Sequence, residues 1–331
     1  MNKVSKKLKK NRLWESSWAP DAISPSPETD TYADPRKIRP INHKGKYFQL
    51  NTPHIVDPSP QRTPFLFQAG TSSAGSSFAA THAEAIFVSG HSASVLRPKI
   101  AHIRQLAADR GRDPRSIKVF ATFTPVVGRT DAEAQAKYDA ARANASIIGG
   151  LVLFSGWTGI DISRIPLDQE ITAEDSTEGH RITSLMETLT APLEDAGGTG
   201  GKRAWTPRLV AERAAVGGLG PVGVGCAARV ADELERWVRE ADLDGFNLGY
   251  VTTPGTFEEV VELLIPELRR RGVYGGPLPM TTGVEGVEGG GGEGLTAREK
   301  IYGVGQRQLR ADHPGSRYKY EVYREEGDEE R

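Results

Sequence analysis

From Pro64 to Tyr274 the chain alternates short apolar runs with longer helical stretches, and this alternation narrows the fold more than any other feature. Phe65-Leu-Phe-Gln-Ala-Gly70, Ala85-Ile-Phe-Val88, Ile117 to Thr124 and Asp244 to Val251 read as strands. Helices are expected over 73–82, 93–110, 130–146, 207–215 and 226–241, with a last one carrying Phe257, Val260, Val261, Leu264 and Leu268 and stopping near Gly272. Short strands separated by longer helices mean βαβ units and a parallel sheet. Such a sheet is covered on both faces, which accounts for strand runs that are continuously apolar. About four βα units are present, enough for half of an eight-fold barrel or for a small open sheet.

The flanks divide the rest. Residues 1–63 read as a remnant helix ending around Leu13, Trp14 and Trp18, then an irregular insertion segment. Within that segment Gly45 to Leu50 reads as a strand, and Pro53, Pro58, Pro60 and Pro64 give an extended link. Residues 64–274 form the alternating unit, interrupted by an insertion over 147–205. The insertion has an expected helix at 181–195 and a Gly-rich break at 197–201. Residues 275–331, Gly-rich and then charged, are expected to be a disordered tail.

Composition excludes several function classes. The net charge of −1 gives no reason to expect a nucleic-acid or membrane-surface partner. The single cysteine, Cys226, cannot form an internal disulfide and fits a reducing compartment. No apolar run approaches the roughly 18–20 residues of a membrane span. The basic start, Lys3 to Arg12, has no apolar region of a secretory signal after it. A cytoplasmic protein is expected.

The sharpest motif is Gln68-Ala-Gly-Thr-Ser-Ser-Ala-Gly75, which leaves a strand and enters a helix. Gly70 permits a tight turn and close backbone approach. Thr71, Ser72 and Ser73 place hydroxyls beside the unpaired first amides of the helix, where its positive end favours an anion such as a phosphate. The same residues also satisfy a plainer role, Ser72 or Ser73 acting as the helix cap. Both readings stand at this stage.

Other motifs carry less. Gly218-Leu-Gly-Pro-Val-Gly223 has the spacing of a dinucleotide fingerprint, with Asp242 and Asp244 about twenty residues on. A helix, not a strand, is expected before it, so it reads as a loop preceding a helix. His82 and His91 lack partners at metal-ligand spacing, and His82 suits a helix C-terminus. Cys226 at a helix start reads as a small buried or capping residue. Trp157 and the apolar run 147–160 read equally as a substrate lid or as packing for the insertion. No residue is assigned as a catalytic base.

With these motifs placed, the chain resembles the nitrilotriacetate and dibenzothiophene-sulfone monooxygenase group of luciferase-like flavin enzymes. The resemblance runs from Leu13 to Tyr274. It is carried by Leu13 to Trp18, Tyr32 to Lys37, Ile41 to Phe48, Gln68 to Gly75, Phe78 to Phe87, Val230 to Leu234 and Asp244 to Leu248. It implies a TIM (β/α)₈-type barrel, of which this chain holds only the C-terminal half with an insertion. It implies reduced FMN as co-substrate, molecular oxygen, a small organic substrate and a separate flavin reductase. Gly70, Thr71, Ser72 and Ser73 then match the segment that holds the FMN phosphate, with Ser72 the leading residue and Ser73 at a more variable position. Barrel sites lie at the C-terminal ends of strands, where this turn falls.

The family carries about four further βα units before the Leu13 to Trp18 motif, and only about twelve residues stand there. Half a barrel leaves two open sheet edges and an apolar face. Three accounts follow: an incomplete gene model, a homo-oligomer that hides the edges, or an inactive remnant. The competing function is a catalytically inactive flavin- or phosphate-binding fragment, or an interaction subunit.

Overall fold

The computed structural model describes residues 11–46, 49–172, 193–194, 202–218, 220–275 and 294–323. Residues 11–16 are helical, as expected, and four short strands then form two antiparallel hairpins. β1 (Ile23–Ser26) pairs with β2 (Thr31–Ala33), and β3 (Ile41–Lys44) pairs with β4 (Gln49–Thr52). No helix among the described residues is long and apolar enough to cross a membrane.

The body is a parallel sheet. β5 (Phe67–Ala69), β6 (Ala85–Val88) and β7 (Lys118–Gly128) pair in sequence order, and β11 (Gly245–Leu248) lies on the other side of β7. These are the four strands expected from sequence. A fifth, β10 (Val222–Cys226), pairs with the second half of β7, Thr124–Gly128. It occupies ground expected to be loop. Its run, Val-Gly-Val-Gly-Cys, has glycines where there is no room: a Cβ at Gly223 would lie 2.5 Å from the Phe123 ring, and one at Gly225 2.8 Å from the Arg229 side chain. A glycine-rich strand gives too weak an apolar signal to be read as one. In the insertion, β8 (Leu193–Glu194) pairs antiparallel with β9 (Lys202–Arg203). That replaces the end of the helix expected at 181–195; the rest of that helix and the Gly-rich break lie outside the described residues.

Helices cover one face of the sheet. α1 (Ser73–His82), α2 (Ala93–Ala108) and α6 (Ala227–Ala241) each begin beyond the end of a parallel strand. α2 shows why it folds as it does. Ser92 caps it by accepting from Val95 N, and Leu96, Ile100, Ile103 and Ala107 recur on one face, all essentially buried. On α6 the buried set is Val230, Ala231, Leu234, Trp237 and Ala241. Val238, expected on that face, is 40% exposed. These residues join Ile86, Val88, Val119, Ala121 and Phe123 of the sheet in one apolar cluster. Each fully buried aliphatic side chain contributes about 1.5–3 kcal/mol.

The last helix of the unit, α7, runs from Gly255–Glu259 through a π turn at Val260–Leu264 into Ile265–Arg270. Val260 and Leu264 are buried, while Phe257 and Val261, expected beside them, are exposed. The π turn adds a residue per turn and rotates the apolar stripe, so a stripe drawn at 3.6 residues overruns it.

The insertion has its own core. α4 (Ile147–Thr158) crosses α5 (Pro207–Ala215) closely, a Cβ at Gly150 falling 2.2 Å from Ala211 O. Leu151, Phe154, Ile162, Trp205 and Val210 fill the contact.

The tail departs most from expectation. Residues 294–323 are described and packed, not disordered. A capping box of Thr296 and Glu299 starts α8 (Ala297–Tyr302). Arg298, wholly buried, forks onto Glu84 at 2.7 and 2.9 Å and donates to the carbonyls of Thr63, Gln61 and Arg307. Tyr302 donates to Ser116 O at 2.6 Å. Apolar content predicts disorder here because the segment is held by charge and hydrogen bonds, with Leu309 its buried apolar side chain. The remainder of the expected tail disorder, 276–293 and 324–331, lies outside the described residues.

Candidate functional site

The C-terminal end of β5 runs straight into the Gln68–Gly75 turn. Gly70 sits at φ +101°, a conformation open only to glycine without strain, and a Cβ there would meet nothing within 4 Å. Glycine is therefore needed for backbone shape, and the space above it is open. Gly75 is needed for the opposite reason: a Cβ would lie 2.7 Å from Gly70 O. The turn is folded tightly onto the first turn of α1.

Ser72 is the cap. Its Oγ accepts from Gly75 N at 3.2 Å, and its carbonyl accepts from Ser76 N at 2.7 Å. Ser76 Oγ donates back to Thr71 O at 3.2 Å. Gly70, Ser72 and Ser73 are exposed and Thr71 is half-buried. The two readings left open by the sequence are compatible chemically. A hydroxyl that accepts through a lone pair keeps its proton to donate. The amides of Ser73 and Ala74 precede the helical hydrogen-bond ladder and face the same space. The arrangement thus offers an exposed turn of N–H and O–H donors at the positive end of a ten-residue helix.

A second turn of the same design, not singled out by the sequence motifs, stands beside it. Ser89-Gly-His-Ser92 links β6 to α2, and Ser92 caps Val95 N at 3.4 Å. Ser89 Oγ lies 3.5 Å from Thr122 Oγ1 on β7. His91, buried, meets the edge of Trp205 with ring centroids 5.7 Å apart. The insertion core therefore reaches this end of the sheet through Trp205. The signal in sequence was a serine preceding helix 93–110, the same cap pattern as Ser72.

The sheet face away from the helices carries an aromatic ladder. Phe67 and Phe87 stack at 5.0 Å and 6°, and Phe120 lies 6.2 Å from Phe67 and 6.3 Å from Phe87. Phe67, at the start of β5, is 47% exposed, a large apolar side chain open on this face.

The other singled-out residues fall elsewhere. His82 ends α1, is buried against Phe78, and its carbonyl lies 3.1 Å from the His313 ring nitrogen, a structural role as expected. Cys226 is the N-cap residue of α6 and donates its backbone N–H to Asp131 at 2.8 Å; that bond holds the Asp131 carboxyl below its ordinary range. Asp242 and Asp244 bind Arg104 at 2.8 and 3.2 Å, at the opposite end of the strands. The Gly218–Gly223 motif precedes a strand, where a dinucleotide fingerprint must follow one. Trp157 is 53% exposed, while Leu151 and Phe154 of the same helix supply the insertion core. No group of three or more His, Cys, Asp or Glu that could hold a metal occurs among the described residues.

The sequence profile of the luciferase-like monooxygenase family matches residues 12–245. A dimethyl-sulfide monooxygenase of Hyphomicrobium sulfonivorans is 38% identical over 308 residues, which cover 93% of this chain and 59% of the relative. The crystal structure of DmoA from Hyphomicrobium sulfonivorans superposes with a TM-score of 0.78 at 37% identity, covering 96% of this chain and 62% of that one. A riboflavin lyase, RcaE, solved with modified FMN and riboflavin, superposes with a TM-score of 0.71 at 32% identity, over 93% of this chain and 62% of that one. The chain spans about 60% of the length of these relatives.

Proposed function

The chain belongs to the luciferase-like monooxygenase family, and from that premise we propose that it acts in an FMN-dependent oxygenation in which the Gly70–Ser73 turn holds the flavin phosphate. The observation that carries this is the turn itself. Its glycine conformation, exposed hydroxyls and free helix-end amides match what a phosphate dianion requires. The roles divide simply. Ser72 donates its hydroxyl while its lone pair keeps the helix capped; Thr71 and Ser73 add donors at the rim; Gly70 lets the backbone come close.

Bound reduced flavin would supply the activation of oxygen; the protein supplies position and a site screened from water. We read the β5-β6-β7-β11 order, with helices on one face, as part of a (β/α)₈-type barrel. The Phe67, Phe87 and Phe120 ladder is then a barrel-interior surface. A separate reductase would deliver the reduced flavin, and the substrate would be a small organic molecule. The names of relatives, a dimethyl-sulfide monooxygenase and a riboflavin lyase among them, differ too widely to select that molecule.

The test is a titration of the full chain with FMN, followed by flavin fluorescence. Saturable binding is expected, weakened about 10- to 100-fold in Ser72→Ala, the range for one hydrogen bond to a charged group. A Ser72→Ala variant binding as tightly as the parent would remove the residue from the site. Binding with no oxygen consumption on supply of reduced FMN would favour the non-catalytic flavin-binding alternative.

A further inference from the structure

A second site stands at the other end of β5, independent of the flavin reading. Arg62 lies five residues before β5, where the Gly70–Ser73 turn follows the strand. Beside Arg62 is an open cleft of about 560 Å³, between the Pro58–Arg62 segment and the tail residues Gly305–Gln308 and Lys319. That volume is in the range of small-molecule sites.

The lining has one sign of charge. Arg62, Arg307 and Lys319 contribute three cations, and no acidic side chain lines the cleft. Arg307 is shared with Glu299 at 3.2 Å. Arg62 is committed only to a carbonyl, Trp18 O at 3.1 Å, and neither Arg62 nor Lys319 forms an ion pair among the described residues. Both are half-buried. Burial lowers the proton affinity of the Arg62 guanidinium, opposed by the charges of Glu15 and Glu321. Those two acids line a smaller adjoining recess, whose wall Arg62 and Lys319 share. Glu15, 2% exposed, spends one oxygen on Thr63 N and Oγ1, and its Oε2 has no hydrogen-bond partner. A half-buried guanidinium without a paired carboxylate is costly, and a bound anion relieves that cost.

The rest of the lining sets the ligand class. Gln306 and Gln308 add amide groups, while Pro20, Pro58, Pro60 and Ile23 add apolar surface. A bare inorganic ion uses only half of such a cleft.

We propose that this cleft binds an organic phosphate monoester, its dianion held by Arg62, Lys319 and Arg307 and its apolar body set against the proline surface. The tail reaches this cleft because Arg298 anchors it on Glu84, so the site exists only when the tail is docked.

Phenyl phosphate is the probe, titrated into the full chain by calorimetry, with inorganic phosphate as comparator. The expected result is saturable binding, at least about tenfold tighter for phenyl phosphate than for inorganic phosphate. Arg62→Ala and Lys319→Met each weaken it about tenfold or more, Arg62→Lys restores part of the loss, and Ser72→Ala leaves it unchanged. The proposal is overturned by no saturation up to about 10 mM, by Arg62→Ala and Lys319→Met binding like the parent, or by binding that disappears in Ser72→Ala. That last outcome would put the probe at the turn instead. Lys319→Met keeps the test readable should Arg62→Ala fail to fold, since methionine keeps the length of the half-buried Lys319 side chain and removes only its charge.

Discussion

At the N-terminal ends of its strands the sheet is closed by buried charge: Arg104 binds Asp242 and Asp244, and Arg298 forks onto Glu84. At the C-terminal ends the connections are small, polar and exposed, with Gly70, Ser72 and Ser73 in one turn. At the first end Arg104 and Arg298 are spent on carboxylates, with Arg62 and Lys319 left over at the cleft; the second leaves hydroxyl and amide donors free. A buried ion pair holds geometry but offers nothing to a ligand, because every donor is used. An exposed helix end stabilises little and can bind.

The largest effect should come from breaking the closed end. Arg298→Ala strands the Glu84 carboxylate in a dry site and frees three backbone carbonyls. A loss of about 3–5 kcal/mol in urea unfolding is expected. FMN binding per folded molecule should survive, because the Ser72 turn shares no group with Arg298. Equal loss of binding by the folded fraction would show that the two ends are not separable.

Ile103→Ala provides the neutral reference. Ile103 lies mid-helix on α2, 1% exposed, in the apolar cluster between the ends. Truncation should cost about 2–5 kcal/mol through lost burial and a cavity. It should leave both the flavin titration and the phenyl phosphate titration of the folded protein unchanged. The opposite pattern is expected of Ser72→Ala, which loses a cap worth about 0.5–2 kcal/mol but takes most of its effect on FMN affinity. A Ser72→Ala variant that is as destabilised as Ile103→Ala, with unchanged FMN affinity, would reduce the turn to a cap.

The two ends were not equally legible in the sequence. The Ser72 turn could be found because its information is local: a glycine, three hydroxyls and a helix start lie within four residues. Four strands were found for the same reason, each being a compact apolar run. β10 is not legible because its glycines admit remote partners: Gly223 makes room for Phe123, a hundred residues away, and Gly225 for Asp131 and Arg229. The tail was misjudged because Arg298 and Glu84 are 214 residues apart, and neither is unusual until they meet. Asp242 and Asp244 invite a cofactor reading only because their true partner, Arg104, is also remote, 138 and 140 residues away. Local chemistry can be read from sequence; long-range pairing of charges cannot.

The smallest effect at neutral pH concerns the tail's own carboxylate. Burial pushes the Glu299 pKa up, but hydrogen bonds from Thr296 N and Gly305 N, with Thr296 Oγ1 and Arg307, outweigh it and hold the group at about 2 against an ordinary 4.5. A carboxylate depressed on folding stabilises fully above its unfolded pKa and loses that contribution as pH falls through the folded one. No change is therefore expected between about pH 6 and 8, and a progressive loss should set in as pH falls from about 4.5 towards 2. Measured as urea midpoint against pH, the parent should fall more steeply across that window than Glu299→Gln, which has no proton to take up. Because Glu299 also holds Arg307, acid should open the closed end and its phosphate cleft ahead of the Ser72 turn, whose donors are hydroxyls and amides that do not titrate there. Parallel midpoint curves for parent and variant would take this carboxylate out of the forces that dock the tail.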